Sequence, residues 1–507
     1  MDKLLEITQK ISDIAWGTPL IIMLLTVGVF LTIKLKGIQV TKVFTYIKTM
    51  FKKDTTDSGE VSSFGALCIA LSATIGTGNI VGVATAISLG GPGALFWLIV
   101  GTIFGLAIKY AEGFLAIKYR KINKEHKVVG GPFAYMEYGM GEKHPKFAKV
   151  LGITFAIIAA ITALFGIGTL AQVNSITEAF DNVFSGVSIP SFEILNNNVS
   201  IISIIAGLII TVISGLVIFG GIKRLTKVCS FVVPVMAIIY ISTCLLIIIL
   251  NIKEIPDALI LVVKSAFSPK AILGSTLGIT FRLAIKNGIA KGLFSSEAGL
   301  GSAPIALATS KSNNPVEQGM SLMGGTLITL IICTMTGLAI IVTNSWQDTT
   351  LEGINMTINA FQKGLPIPNT LCSLILLISI FFFAFTTIIG WNMYGIRCVS
   401  YITKNRIVHL VYQIAYILTI FIAPYLTVKI IWNIADITCA LMVIPNLIAI
   451  INLSGVVSKD TKKYFSREKR WKCKKKHFQK ILIKTINTPK SISIILLFGV
   501  FCWEIKK

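Results

Sequence analysis

The chain is 507 residues long, 54% hydrophobic and only 14% charged, with a formal net charge of +24. An ordinary soluble domain carries about 25% charged residues, so this composition excludes a soluble globular protein and points to the bilayer. The basic excess does not mark a nucleic-acid partner, because Lys and Arg lie between long apolar runs and not along one soluble face.

A run of about 20 apolar residues crosses a ~30 Å hydrocarbon core. Eleven such runs follow one another, at approximately 17–34, 62–90, 94–117, 149–175, 200–220, 229–250, 289–310, 319–343, 367–396, 407–428 and 430–453. The first is longer than a signal-peptide core and no A-x-A site follows it, so it reads as a retained helix. Residues 275–288 carry Arg282 and Lys286 and read as an amphipathic lead-in on the membrane surface. The tail 459–490 is polybasic and suits anionic lipid head groups, while 491–503 is too short to span comfortably.

The connections alternate in charge. Residues 34–60 carry six Lys or Arg, 118–149 eight, 219–227 three, 397–406 three and 458–490 thirteen, and Lys311 stands in the remaining basic connection. The other connections are nearly bare: 176–200 carry none, 251–274 three and 344–366 one. Basic loops stay on the cytoplasmic side. Eleven spans then place the N-terminus outside and the C-terminal tail in the cytoplasm, with the plasma membrane as the expected location.

Nine Cys are scattered without a C-x-x-C pair, and four His stand apart from one another. Neither a disulfide framework nor a metal cluster is expected, and no convergent His, Asp or Glu set suggests an enzyme. No cofactor is expected.

Two spans are unsuited to plain helices. The run 62–90 contains Ser72-Ala73-Thr74-Ile75-Gly76-Thr77-Gly78-Asn79, and 289–310 contains Phe294-Ser295-Ser296-Glu297-Ala298-Gly299-Leu300-Gly301-Ser302. Each Gly costs about 1 kcal/mol in a helix interior relative to Ala, so both segments invite a break. Backbone freed at membrane depth is tolerated only inside protein or along a watery cavity. Broken helices at matching places in two halves point to a transporter binding site, and here the two runs open successive sets of five spans. Both breaks read S-x-x-x-G-x-G. Close helix packing through small residues is the alternative reading of either cluster. Glu297 either caps a freed half-helix or touches solute. Lys109 and Glu112, three residues apart on one helix, suggest a mutual ion pair. Asp436 reads as a proton or gating group, or as a partner of nearby backbone. Gln172, Asn174 and Asn446 are further polar residues inside spans.

The stretch GALCIALSATIGTGNIVGVATAISLGGPGALFWL resembles the signature of the sodium:alanine symporter family. So do Gly130-Gly131-Pro132-Phe133 with Tyr135-Met136, and the segments FSSEAGLGSAPIA, FAFTTIIGWNMYG and MVIPNLIAI. The resemblance covers roughly 15–455. It implies an all-α membrane protein with the leucine-transporter-type 5+5 inverted repeat and one extra N-terminal helix. The divisions would be 1–60 for the extra helix and its basic connection, 61–250 and 251–455 for the two repeats, and 456–507 for the tail.

The resemblance also implies roles. The N–H groups near Thr77 and Gly78 would take a substrate carboxylate with support from Asn79. Gln172 would face the substrate, Phe294, Ser295 and Ala298 would wall it, and Thr387 and Trp391 would close the pocket. Sodium would sit between the carbonyls of Ser72, Ile75 and Phe383 and the hydroxyls of Thr386 and Thr387. The implied function is sodium-coupled uptake of alanine or glycine by alternating access. A proton-coupled carrier, or one for glutamine or D-alanine, is the near alternative, and an ion channel the distant one. Three positions depart from the family pattern: Ser296 replaces Asn, Ile396 replaces Glu, and Met393-Tyr394 replaces a Tyr pair.

Overall fold

The computed structural model describes residues 2–54, 56–122, 127–184, 190–194, 197–267, 281–426 and 428–486. The chain divides into two units, Met1–Ser454 and Gly455–Lys507, the second being helical through residue 486. The predicted segment 491–503 lies outside the described residues, as does the first part of the lead-in at 275–288.

Helices make the fold. In chain order they are α1 (Asp2–Ala15), α2 (Thr18–Lys34), α3 (Ile38–Thr41), α4 (Val43–Met50), α5 (Ser63–Thr74), α6 (Val81–Gly90), α7 (Gly93–Lys118), α8 (Pro132–Gly139), α9 (Pro145–Phe165) and α10 (Leu170–Val183). There follow α11 (Ile201–Ile218), α12 (Gly221–Leu250), α13 (Ile255–Phe267), α14 (Phe281–Ser295), α15 (Ala303–Leu307), α16 (Pro315–Val342), α17 (Gly353–Gly364), α18 (Asn369–Ile402), α19 (Arg406–Ile422) and α20 (Val428–Ile486). Two short antiparallel hairpins, β1–β2 (Lys121–Ile122 with Val128–Val129) and β3–β4 (Ser191–Ile194 with Asn197–Ser200), lie in connections.

Among the described residues, nine helical stretches are long and apolar enough to cross a membrane, and the bent pair α5–α6 makes a tenth. These ten coincide with ten of the expected runs. The eleventh, expected at 289–310, is helical from Phe281, where the described residues resume, stops at Ser295 and resumes as the short α15. After the α1–α2 stretch come the α5–α6 pair, α7, α9–α10, α11 and α12, then the α14–α15 pair, α16, α18, α19 and α20. Each five opens with a broken helix and carries a short helix between its second and third spans, α8 in one and α17 in the other. Five is odd, so the second set crosses in the opposite sense to the first. An odd number of spans per set is what an inverted repeat requires.

Burial follows from lipid as the solvent. Lipid tails offer helices no hydrophobic drive to associate, so close packing does the work. The α7 helix shows how. A Cβ added at Gly101 would meet Ile289 of α14 at 3.2 Å, one at Gly105 would meet Ala298 at 2.9 Å, and one at Gly113 would meet Gly319 of α16 at 3.0 Å. This stripe lets α7 lie directly on α14 and α16, and it brings Lys109 and Glu112 into the core. On the outer helices, Leu216, Phe231, Ile238 and Ile407 are exposed, as a lipid-facing surface requires.

Candidate functional site

The first break forms where α5 ends at Thr74. Gly76 takes an extended backbone, a 3₁₀ turn covers Thr77–Asn79, and α6 resumes at Val81, bent by 66° from α5. Freed carbonyls at this depth need donors, and Asn79 supplies them. Its Nδ2 donates to Thr74 O at 2.9 Å and to Gly76 O at 3.2 Å. Gln172 on α10 closes the turn from the other side, since its Oε1 accepts from Thr77 N at 3.2 Å and Thr77 Oγ1 at 3.0 Å. The Gln172 Nε2 donates to Ile167 O at 3.1 Å, which fixes the amide's orientation.

The second break runs from Ser296 to Ser302. Glu297 has φ +49°, Gly299 +89° and Gly301 +77°. Gly carries the left-handed conformation at no steric cost, whereas Glu297 holds it through its side chain. Glu297 Oε2 accepts from Ser302 Oγ at 2.5 Å and Thr74 Oγ1 at 3.3 Å, and Oε1 accepts from Trp391 Nε1 at 3.2 Å. Glu297 thereby ties both breaks to α18. Of its two expected roles, the contacts seen are those that brace freed backbone and neighbouring helices.

The two breaks face each other. Ser295 Oγ donates to Gly78 O at 3.2 Å, and the Phe294 ring lies over Gly78, 3.7 Å from where a Cβ would stand. Trp16 meets Phe294 edge-on with ring centroids 5.7 Å apart, and Lys291 Nζ sits 5.2 Å from the Phe294 ring centre. Trp16 Nε1 also donates to the Asp436 carbonyl at 2.7 Å, and the Asp436 side chain is hydrogen-bonded to Ser12. The structure thus brings Thr77, Gly78, Asn79, Gln172, Phe294 and Ser295 to one place. Ala298 faces Gly105 of α7, and Trp391 is fully buried against Glu297 and Tyr394.

Next to the first break, four oxygens converge between α5 and α18. Thr387 Oγ1 lies 3.0 Å from Ser72 O, 3.5 Å from Ile75 O and 2.8 Å from Phe383 O. The Phe383 contact is the common i−4 back-bond of Thr in a helix, but those to Ser72 and Ile75 join distant segments. One hydroxyl hydrogen serves one carbonyl at a time, so at any moment Thr387 Oγ1 leaves two of these three carbonyls without its hydrogen. Thr386 differs. Its Oγ1 lies 3.0 Å from Phe382 O, 3.2 Å from Phe383 O and 3.5 Å from Met236 Sδ, all acceptors on its own helix or α12.

At one end of the two broken helices the connections are joined by a polar knot that the sequence did not reveal. Glu60 N donates to Thr309 O at 2.8 Å and Lys311 N to Val61 O at 2.8 Å. The Arg120 guanidinium donates to Ala308 O, Ser310 O, Ser58 O, Ser312 O and Asn313 Oδ1. Burial pushes it down to about 10, still well above neutral pH, so it stays charged. Arg397 pairs with Glu60, whose other oxygen accepts from Val128 N at 2.7 Å. The knot joins the segment entering α5 to the segment leaving α15. The only sequence signal was a cluster of basic and hydroxyl residues in these connections.

Comparison with known proteins agrees with this architecture. The model of the sodium:alanine symporter family matches residues 1–480. An uncharacterized transporter of Haemophilus influenzae is 44% identical, covering 92% of this chain and 97% of its own length. The sodium/alanine symporter AgcS of Methanococcus maripaludis is 38% identical over 90% of this chain and 97% of its own. The probable sodium/glutamine symporter GlnT of Bacillus subtilis is 34% identical over 100% of this chain and 97% of its own. The chain belongs to the sodium:alanine symporter family, and it is a multi-pass membrane transporter and not an enzyme.

Proposed function

We propose that this transporter carries alanine or glycine into the cell together with sodium, by alternating access. The observation that carries the reading is the convergence of Ser72 O, Ile75 O, Phe383 O and Thr387 Oγ1 beside the broken α5–α6 pair. An all-oxygen cluster suits a hard monovalent cation, and it lies on the same backbone that forms the break. Sodium there orders the Gly76–Asn79 turn, and the Gly78 amide, with Thr77 N–H exchanging Gln172 Oε1 for the ligand, then receives the amino-acid carboxylate. Gln172, Phe294 and Ser295 would line the side-chain end of the substrate, with Thr387 and Trp391 behind them. In this reading the basic connections and the C-terminal tail face the cytoplasm of a plasma membrane, and the N-terminus faces out. The names of the relatives above, one for alanine and one for glutamine, set the range of substrates to compete.

Moving one positive charge inward across 100 mV is worth about 2.3 kcal/mol, roughly fiftyfold in accumulation. The test is uptake of labelled alanine by proteoliposomes under an imposed sodium gradient, with glycine, glutamine and D-alanine as competitors and pH varied separately. Uptake that persists without sodium and follows a proton gradient would sink the sodium assignment. Saturable uptake competed only by glutamine would move the substrate.

A further inference from the structure

The two breaks are held open in different ways. Asn79 satisfies the freed carbonyls of the first from within its own segment. The freed N–H groups of Gly299 and Gly301 in the second are satisfied from another helix. Glu112, fully buried on α7, accepts at Oε1 from Gly299 N at 3.1 Å, Gly301 N at 3.2 Å and Asn446 Nδ2 at 2.8 Å. The second hydrogen of Asn446 Nδ2 goes to Gly299 O at 2.7 Å, and Tyr135 OH donates to Asn446 Oδ1. Lys109 Nζ stands 3.7 Å from the other Glu112 oxygen, and neither side chain is exposed.

Gly299 and Gly301 are left-handed, so their N–H groups cannot join a helical ladder. A charged acceptor is about twice as strong as a neutral one for such donors, and a buried carboxylate needs a counter-charge. Lys109 provides it one turn away.

We propose that Glu112 is the positioning residue of the second break. Its carboxylate, balanced by Lys109 and braced by Asn446, holds residues 296–302 in the shape that presents Phe294 and Ser295 to Gly78. It touches neither proposed ligand. The cation cluster at Thr387 lies on α5 and α18 and does not depend on it directly. The kinetic part of the test rests on the transport reading above, and the amide-exchange part does not.

The experiment compares purified wild type with Glu112→Gln, Lys109→Met and the double variant Lys109→Met/Glu112→Gln. Hydrogen exchange across 292–303 is expected to quicken about tenfold or more in Glu112→Gln, the effect of losing one charge-assisted contact, with α18 peptides unchanged. The amino-acid KM is expected to rise about tenfold while sodium half-saturation moves less than about threefold. Lys109→Met leaves both Glu112 and Glu297 buried without this cation, and the double variant removes one of those two charges, so Lys109→Met is expected to melt below it. That double variant also serves if Glu112→Gln alone does not fold. Wild-type exchange and wild-type KM in Glu112→Gln would overturn the proposal, as would equal shifts in KM and sodium half-saturation. A double variant no more stable than Lys109→Met would remove Lys109 from it. If wild type itself transports no amino acid, the functional reading fails and the exchange comparison alone decides this one.

Discussion

The Thr387 hydroxyl on α18 lies 3.0 Å from the carbonyl oxygen of Ser72 on α5, a contact that bridges 315 positions of sequence. Adjacent residues on α18 therefore have unequal parts. Thr387 reaches across to α5, while Thr386 is directed to its own helix and to Met236. Replacing Thr387 by Ala is expected to raise sodium half-saturation about tenfold, the equivalent of about 1.4 kcal/mol. Thr386→Ala is expected to change it much less. Sodium titration of uptake in the two variants measures the difference, and a larger effect at Thr386 would relocate the cation.

Gly76 is expected to be intolerant for the same geometric reason. A Cβ there would stand 2.7 Å from Thr387 Oγ1 and 3.3 Å from Gln172 Oε1. Overpacking of this kind costs about 1–3 kcal/mol, and relief requires moving either the proposed cation ligand or the amide that closes the turn. Gly76→Ala should express as a folded protein with sodium-dependent uptake reduced about tenfold or more. At Gly78 the nearest atom is 3.7 Å away on a ring, so Gly78→Ala should keep measurable sodium dependence and lose amino-acid affinity instead. Reversed outcomes at the two glycines would contradict this division.

Asn79 tests the first break itself. Its Nδ2 donates to both Thr74 O and Gly76 O. Removing a partner from a buried acceptor costs about 1–3 kcal/mol, so Asn79→Ala is expected to lower the melting midpoint and to abolish uptake. Asn79→Asp removes the donor and adds a buried charge, and should be worse than Ala. Thermal unfolding in detergent reads the order, and an Asp variant as stable as wild type would show that the carbonyls find donors elsewhere.

The parts of this fold that follow from lipid as solvent were legible in sequence. Backbone in hydrocarbon must satisfy itself, so the runs at 94–117 and 319–343 had to be helices, and Gly76 with Gly78 had to mark a special place. Ser72, Ile75, Phe383 and Thr387 were named by resemblance, and in the structure the Thr387 hydroxyl lies 3.0, 3.5 and 2.8 Å from the carbonyl oxygens of Ser72, Ile75 and Phe383. What stayed hidden depends on which helices become neighbours. Glu112 and Lys109 read as a local pair, yet the carboxylate's main partners are 187 and 189 residues away. The start of α14 was misplaced because Arg282 and Lys286 looked like a surface lead-in, although the helix is continuous from Phe281. The short helices α13 and α17 were not foreseen, since neither is long enough to give a span signal.

Arg120 offers a test of whether the chain opens at this end during transport. Its guanidinium reaches Ala308 O at 2.6 Å, Ser58 O at 2.9 Å, Ser312 O at 2.9 Å and Asn313 Oδ1 at 2.8 Å, joining the segment before α5 to the segment after α15. These are the far ends of the two broken helices, so a passage on this side requires the knot to loosen. Lys offers a compact ammonium without the planar fork and cannot serve acceptors spread over 58 and 308–313. Arg120→Lys is therefore expected to favour the state open on this side. A single cysteine at Ser310, which is buried, should react with a membrane-impermeant maleimide several-fold faster in the Arg120→Lys background, and addition of sodium with substrate should change that rate. Labelling at the same slow rate in both backgrounds, with uptake intact, would show that this side opens without disturbing Arg120.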